Sequence, residues 1–141
     1  MKALRYLIAL FAGALVAGFV VAGIESLGHA VYPPPAGLDP GDMEQLKALV
    51  ATLPVGALLF VVFAWAAGAY AGGLVAARIA PAHRALLAGV IGALVLAAVV
   101  ANLLMIPHPP WVAVVGVLAV LVATALAAMV GRRWQRKPTG A

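Results

Sequence analysis

Residues 55–106 read VGALLFVVFAWAAGAYAGGLVAARIAPAHRALLAGVIGALVLAAVVANLLMI, and this stretch decides the fold. It holds two apolar segments, 55–77 and 85–106, joined by a short connection that carries Arg78 and Arg84. Each segment has about the 20 residues that an α-helix needs to cross a hydrocarbon core of roughly 30 Å. Because the connection is so short, the two helices are expected to run antiparallel and side by side.

Two further apolar segments, 7–27 and 111–130, have the same character on either side of this pair. None of the four shows the strict alternation of a barrel strand, so four transmembrane helices are predicted. The sequence therefore predicts an all-α integral membrane protein whose four transmembrane helices form an antiparallel bundle. We assign residues 1–141 to a single domain, with an outer loop at 28–54 and a cytoplasmic tail at 131–141.

The composition indicates that lipid is the solvent of this chain. Of its 141 residues, 66% are hydrophobic and 9% are charged, whereas a soluble domain is about half apolar and about a quarter charged. The absence of cysteine excludes a disulfide, a thiolate zinc site and a cysteine nucleophile. The net charge of +5 does not indicate nucleic-acid binding, because the cations are scattered over three short segments. The lipid bilayer is the expected partner.

Charges of opposite sign are found on opposite sides of the apolar segments. Short loops rich in Lys and Arg stay on the cytoplasmic side, so both termini are predicted inside and the outer loop outside a cell membrane, here a bacterial inner membrane. The first segment follows two cations as a signal peptide would, but its length favours a retained anchor. Lys47 is the one cation on the acidic side. The cytoplasmic cations are Lys2, Arg5, Arg78, Arg84, Arg132, Arg133, Arg136 and Lys137, and the acidic residues are Glu25, Asp39, Asp42 and Glu44.

The outer loop contains the signals of a short helix. Pro33-Pro34-Pro35 favours an extended polyproline II segment. In the sequence Asp39-Pro40-Gly41-Asp42, we predict Asp39 as the N-cap and Pro40 as the first helical residue. The helix is expected to run to about Leu53 and to lie as an amphipathic element at the membrane interface. Its apolar side is predicted to consist of Met43, Leu46, Leu49 and Val50.

Rows of small residues predict how the helices pack, because close backbone approach replaces the hydrophobic effect inside lipid. All four segments carry such residues at intervals of four. A compact bundle is expected, with a face left over for a second copy or a membrane partner protein. The rows are Ala14, Gly18 and Ala22; Ala64, Gly68, Gly72 and Ala76; Ala88 and Gly92, or Gly89 and Ala93; and Ala119, Ala123, Ala127 and Gly131.

One polar constellation stands out near the outer face. Glu25 and His29 lie four residues apart, about 40° around a helix, and they continue the side that carries Gly18 and Ala22. An ionisable residue in a membrane segment usually faces the bundle interior and marks function. His108 lies in the other outer connection, on the same predicted side of the membrane. The candidate polar or ion site is therefore Glu25, His29, His108, Asn102 and Tyr32.

Several interpretations of this constellation remain open. Glu25 and His29 would pair with each other in a purely structural role, and His108 would then only cap a helix. A two-histidine, one-carboxylate set of Glu25, His29 and His108 would instead suit a divalent metal, with Asp39 or Asp42 as a fourth ligand. No clustered metal motif such as HExxH supports this cofactor.

Three polar or aromatic residues elsewhere in the apolar segments and connections have simpler interpretations. We expect Asn102 to hydrogen-bond a neighbouring helix, because polar side chains in membrane segments usually do so. Trp65 is expected to pack inside the bundle, with its indole N–H seeking a partner. His83 is expected to be a solvated loop residue.

Three function classes fit these features. An accessory or interaction protein is favoured, because the chain is small and carries no catalytic motif, and we assign no catalytic residue. The alternative is a small proton- or ion-coupled transporter in which Glu25 titrates, although the inner half of the segments offers no relay. Less favoured is a membrane metalloenzyme at the outer interface, with Glu25 as ligand or base. The sequence leaves the substrate, the partner, the metal and the oligomeric state open.

Overall fold

The computed structural model describes residues 1–136, and within them every regular element is an α-helix. Four of these helices, α1, α3, α4 and α5, are long and apolar enough to cross a membrane, as the sequence predicted. Residues 137–141, the end of the predicted tail with Lys137, lie outside the described residues. The helices are α1 (Lys2–Val31), α2 (Met43–Thr52), α3 (Val55–Ile79), α4 (Arg84–Met105) and α5 (Pro110–Arg136).

The helices extend beyond the apolar segments at their basic ends. α1 begins at Lys2 and α5 continues to Arg136, several residues outside the predicted spans. Lys and Arg are good helix formers, and their long side chains can keep the charge in water while the stem covers apolar surface. The helices therefore extend through the charged flanks.

Helix α3 is the centre of the packing, since it contacts α1, α4 and α5. Of its most apolar window, 44% is buried, against 17% for α1. Helix α1 packs extensively on α3 but touches α4 only sparsely, so α1 is the peripheral helix. A gap between α1 and α4 follows from this arrangement.

Backbone contact between small residues joins α1 to α3. A Cβ added to Gly68 would lie 2.9 Å from the carbonyl oxygen of Ala17. Further along, Gly28 of α1 packs on Phe60 of α3, so the two helices run in opposite directions. Such close approach is how helices associate where apolar burial supplies little drive.

The predicted small-residue row of α3 is buried, but the row predicted for α1 is wrong. Gly18 has no atom within 4 Å of an added Cβ. The buried small residues of α1 lie one position earlier in the four-residue repeat, which is about 100° around the helix. Both rows have the same spacing, and contact with α3 selects one of them. The exposed row is Ala14, Gly18 and Ala22, and the buried one is Ala9, Gly13 and Ala17.

Helix α4 also carries two small-residue rows of equal spacing, and only one of them is buried. Gly92 is buried, and its Cα faces the side chain of Thr124. Ala88 is fully buried, whereas Gly89 has open space around an added Cβ and Ala93 is exposed. The Ala88 and Gly92 row is therefore the packing row of this helix.

The basic residues of three segments meet at one end of the molecule, which we call the basic end. A guanidinium nitrogen of Arg5 lies 3.4 Å from the carbonyl oxygen of Ile79, and the Arg78 guanidinium lies 5.6 Å from the Trp134 ring centroid. His83 is exposed, as predicted, with its ring stacked on that of Tyr6. The basic residues that the sequence places on one side of the apolar segments thus also lie at one end of the structure.

Helix α2 begins three residues later than predicted. Its N-cap is Asp42, whose carboxylate accepts hydrogen bonds from the backbone N–H groups of Glu44 at 3.0 Å and Gln45 at 3.3 Å. Asp39 instead forms the turn before the helix: its carboxylate accepts from the N–H of Gly41, and its carbonyl from that of Asp42. The prediction of Asp39 as N-cap was wrong because Pro40 and Gly41 form a turn.

Candidate functional site

A cavity of about 290 Å³ lies at the end of the molecule opposite the basic end. Helix α1 and the residue that follows it supply three polar side chains, α4 supplies one, and the α4–α5 connection supplies one. All five residues that the sequence singled out line this one cavity. They are Glu25, His29, Tyr32, Asn102 and His108.

Helix α2 covers this cavity with its apolar side. Leu46, Leu49, Val50 and Leu53 all line it. Within residues 1–136, α2 brings no Cα atom within 8 Å of another helix, so side chains alone hold it in place. Val50 and Leu53 pack on the core that includes Trp65. Helix α2 therefore covers the cavity through side-chain contacts and through its chain connections to α1 and α3.

A glycine of α3 positions Tyr32. The Tyr32 hydroxyl lies where the Cβ of any larger residue at position 56 would be, against Gly56. The Tyr32 ring meets Phe60 edge to face, with ring centroids 6.2 Å apart. Edge-to-face contact is a favoured aromatic geometry. Gly56 and Phe60 together direct Tyr32 into the cavity wall.

His108 is turned inward from the α4–α5 connection. Its Nδ1 lies 2.8 Å from the carbonyl oxygen of Ile106. A carbonyl can only accept, so Nδ1 carries the proton and Nε2 is the acceptor of the neutral ring. The ring also lies edge to face with Trp65, at 6.2 Å between centroids. These contacts fix the orientation and the tautomer of His108.

Asn102 has an unsatisfied oxygen. Its Oδ1 is buried and has no hydrogen-bond partner within the described residues. The interhelical hydrogen bond expected for Asn102 is therefore not made by this oxygen. An unpaired buried acceptor costs about 1–3 kcal/mol, so Oδ1 marks a position where a donor would be stabilised.

Glu25 and His29 share the cavity but do not bond to each other. The only ion pair within residues 1–136 joins Glu44 to Lys47 at 3.0 Å on the surface of α2. Glu25 is half-buried, whereas His29 is exposed at the edge of the cavity. The structural pairing considered from the sequence is not formed here.

A second cavity, of about 440 Å³, continues from the first along the gap between α1 and α4. We call it the groove. The first cavity we call the chamber. Glu25 and Asn102 line both cavities, so they stand where the chamber meets the groove. Trp65 forms part of its wall, and no Lys or Arg among residues 1–136 lines either cavity. The α1 side of the groove consists of Ala14, Ala17, Gly18, Val21, Ala22 and Glu25.

Sequence reasoning missed the groove, although its signal is present. Ala14, Gly18 and Ala22 lead at helical spacing to Glu25. We interpreted that alignment as a packing face that carried the acid inward. In the structure the same face stays open, and the acid stands at its end.

The arrangement does not favour the metal site considered from the sequence. Within residues 1–136, no group of three His, Cys, Asp or Glu side chains is placed to hold a metal ion. Glu25, His29 and His108 therefore line one cavity without forming a ligand set. Asp39 and Asp42 are engaged in the turn and cap of α2.

Comparison of the chain with protein-family models, with curated proteins and with solved structures finds no match. The class of protein is thus defined by its own structure: an all-helical chain with four helices able to cross a membrane. The cavity that holds the five polar side chains lies opposite its basic end and adjoins the groove.

Proposed function

We propose that this is a four-span protein of the cell membrane, an antiparallel bundle with both termini in the cytoplasm and α2 at the outer interface. In this proposal it is an accessory protein that binds an amphiphilic molecule from the outer leaflet. The gathering of the cations at one end supports the orientation, because short basic segments stay inside. The cavity and α2 then belong to the outer half of the membrane.

The observation that carries the proposal is the junction at Glu25 and Asn102. The chamber under α2 is lined by five polar side chains among apolar ones, and the groove between α1 and α4 is lined by apolar side chains apart from Trp65 and these two residues at its end. An amphiphile has a polar head and an apolar tail in the same order. Ligand sites are typically concave, mostly apolar and equipped with a few polar groups. The exposed faces of Gly18 and Ala22 leave the groove open to lipid from the side.

Binding fits the structure better than transport does. Toward the basic end, Ala9, Ala76 and Ile91 form a fully buried cluster. Between the groove and that end, no acidic, basic or histidine side chain lies within the apolar segments. A proton released by Glu25 would have no relay to the cytoplasm. The transporter alternative is therefore less well supported by the geometry.

Trp65 provides the test, because it lines the groove while only 5% of its surface is exposed. Trp111→Phe and Trp134→Phe would leave it as the single tryptophan of the chain. In bilayer discs, lipids with brominated acyl chains should quench Trp65 if a chain occupies the groove. Gly18→Leu should fill the groove and abolish the quenching.

Gly89→Leu is the matched control, since Gly89 also has open space around an added Cβ but does not line the groove. It should leave the quenching of Trp65 unchanged. Equal quenching in the Gly18 and Gly89 variants would contradict the proposal, because the bromine would then reach Trp65 by another route.

A further inference from the structure

We propose that the amphiphile is phosphatidylethanolamine, with its ammonium group between Glu25 and the Oδ1 of Asn102 and one acyl chain in the groove. The inference deepens the proposed function and rests on it. The shape of the groove identifies an acyl chain but not a head group. The polar residues at its end identify the chemistry of the head group.

Glu25 and Asn102 together favour a cation with N–H donors. Glu25 carries a half-buried carboxyl group, and the Asn102 oxygen is buried and has no hydrogen-bond partner within residues 1–136. Both are acceptors, and a buried acceptor or anion is costly unless a donor or a cation meets it. A primary ammonium supplies a positive charge and three N–H donors in one group.

The described residues of the protein place no cation in hydrogen-bonding contact with Glu25. Within residues 1–136, no Lys or Arg lines the chamber or the groove. His29, exposed at the rim, lies close enough for its charge to act on Glu25 but forms no ion pair with it, and the Nδ1 of His108 faces the Ile106 carbonyl. A ligand is therefore the source of a directly bonded cation that the geometry leaves open.

The length of the groove also fits an acyl chain. Ala14, at the far end of the groove, lies eleven residues before Glu25. At 1.5 Å per helical residue the groove extends for about 16 Å, and one leaflet of a core of roughly 30 Å is about 15 Å deep. The groove thus matches an acyl chain of a single leaflet. A chain there would contact Gly18, which has no side chain, and Ala22, which has only a methyl group. Both leave the space free.

The head group also needs a place for its phosphate. His29 and Tyr32 line the chamber and carry hydrogen-bond donors. Donors of this kind suit a phosphate oxygen. The chamber therefore offers acceptors for the ammonium and donors for the phosphate, which is the pattern of a zwitterionic aminophospholipid.

The test compares head groups on identical brominated chains, with Trp65 as the single tryptophan. Phosphatidylethanolamine should quench Trp65 at about a tenfold lower mole fraction than phosphatidylcholine, since a charge-assisted hydrogen bond contributes about one such factor. Phosphatidylcholine keeps the charge but has no N–H donor. Phosphatidylglycerol, which has no cation, should quench least.

Two variants assign the preference to its residues. Glu25→Gln and Asn102→Ala should each reduce the preference for phosphatidylethanolamine by about tenfold. Glu44→Gln is the matched control, because Glu44 is an exposed carboxylate that lines neither cavity. It should keep the full preference.

The outcomes separate the two proposals. Equal quenching by all three head groups would overturn the assignment to phosphatidylethanolamine and leave the proposed function intact. No quenching by any of them would remove both. Cross-linking between two copies of Gly18→Cys would then assign the groove to a second copy of the chain.

A competition experiment on otherwise unmodified protein keeps the inference testable if Glu25→Gln fails to fold. Dodecylammonium should displace brominated phosphatidylethanolamine from Trp65 more effectively than dodecyltrimethylammonium, because only the former carries N–H donors. Equal displacement would overturn the role of the donors. Binding of dodecylammonium without any binding of phosphatidylethanolamine would identify a simple amine as the ligand and also overturn the inference.

Discussion

Gly13 of α1 and Gly72 of α3 face each other with no side chain between them. A Cβ added to Gly13 would lie 2.8 Å from the carbonyl oxygen of Gly72, and a Cβ added to Gly72 would lie 2.5 Å from that of Gly13. Neither oxygen belongs to a flexible side chain, so neither can give way. This reciprocal contact fixes the distance between the two helices below the groove.

The first prediction follows from this contact. Gly72→Ala should destabilise the protein by about 1–3 kcal/mol, because the added methyl group must separate two backbones. Gly89→Ala should be neutral or stabilise by up to about 1 kcal/mol, since the site is open and alanine favours the helix. Thermal denaturation of the two variants in one detergent measures the difference. Equal midpoints would contradict the packing described here.

The existence of the helices could be predicted from the sequence, whereas their rotation could not. Hydropathy and length identified α1, α3, α4 and α5 because lipid demands long apolar helices. The face of α1 was misjudged because Gly13 and Gly18 belong to rows of equal spacing. Only contact with Gly68 and Gly72 of α3 distinguishes them, and that contact is not encoded within α1.

The second prediction concerns Tyr32 and Gly56. Gly56→Ala should displace the Tyr32 ring, because its hydroxyl occupies the position of the new methyl group. The variant should therefore lose ligand quenching at Trp65. Combining it with Tyr32→Ala should restore stability relative to Gly56→Ala alone, as contacting residues couple in a double-mutant cycle. Simple addition of the two losses of stability would show that the residues do not touch.

The third prediction distinguishes the two aspartates before α2. Asp42→Ala should speed hydrogen exchange of the amides in Met43–Thr52, because the cap satisfies two N–H groups that have no helical partner. Asp39→Ala should affect these amides less, since the Asp39 carboxylate binds only the N–H of Gly41, and the backbone N–H that Asp39 donates to Gln45 is kept in the variant. Faster exchange of these amides in Asp39→Ala than in Asp42→Ala would identify Asp39 as the N-cap.

The same cap predicts a dependence on pH. Hydrogen bonding from the backbone N–H of Gln45 holds the pKa of the Asp42 carboxyl below its ordinary value of 3.8. A folded-state pKa that is lowered stabilises the helix above the unfolded pKa, and this stabilisation is lost as the pH falls through the folded value. Protection of the α2 amides should therefore fall below about pH 3.8 in the unmodified protein. In Asp42→Ala it should depend less on pH over that range.

The fourth prediction concerns orientation. The chain has no cysteine, so a single cysteine can be introduced without background. Ala36→Cys, in the loop before α2, should react with an impermeant maleimide added to intact cells. Ala82→Cys, between α3 and α4, should react only after the membrane is opened. The opposite pattern would invert the proposed topology and place the cavity in the cytoplasmic leaflet.

The proximity of these polar residues could be predicted from the sequence, whereas the bonds between them could not. Topology and helical spacing brought Glu25, His29 and His108 into one set, and the structure gathers them in one cavity. The expected bond between Glu25 and His29 is not formed: Glu25 is half-buried, whereas His29 is exposed at the edge of the same cavity.

The buried cluster between the groove and the basic end closes the groove on that side. Ala9, Ala76 and Ile91 are fully enclosed, and the Gly13–Gly72 contact leaves no room beside them. Under the proposed function, a molecule in the groove would thus have no exit toward the basic end, and it would enter and leave either sideways between α1 and α4 or through the cavity beneath α2. Under that proposal, occupancy of the groove would then equilibrate with one face of the bilayer alone.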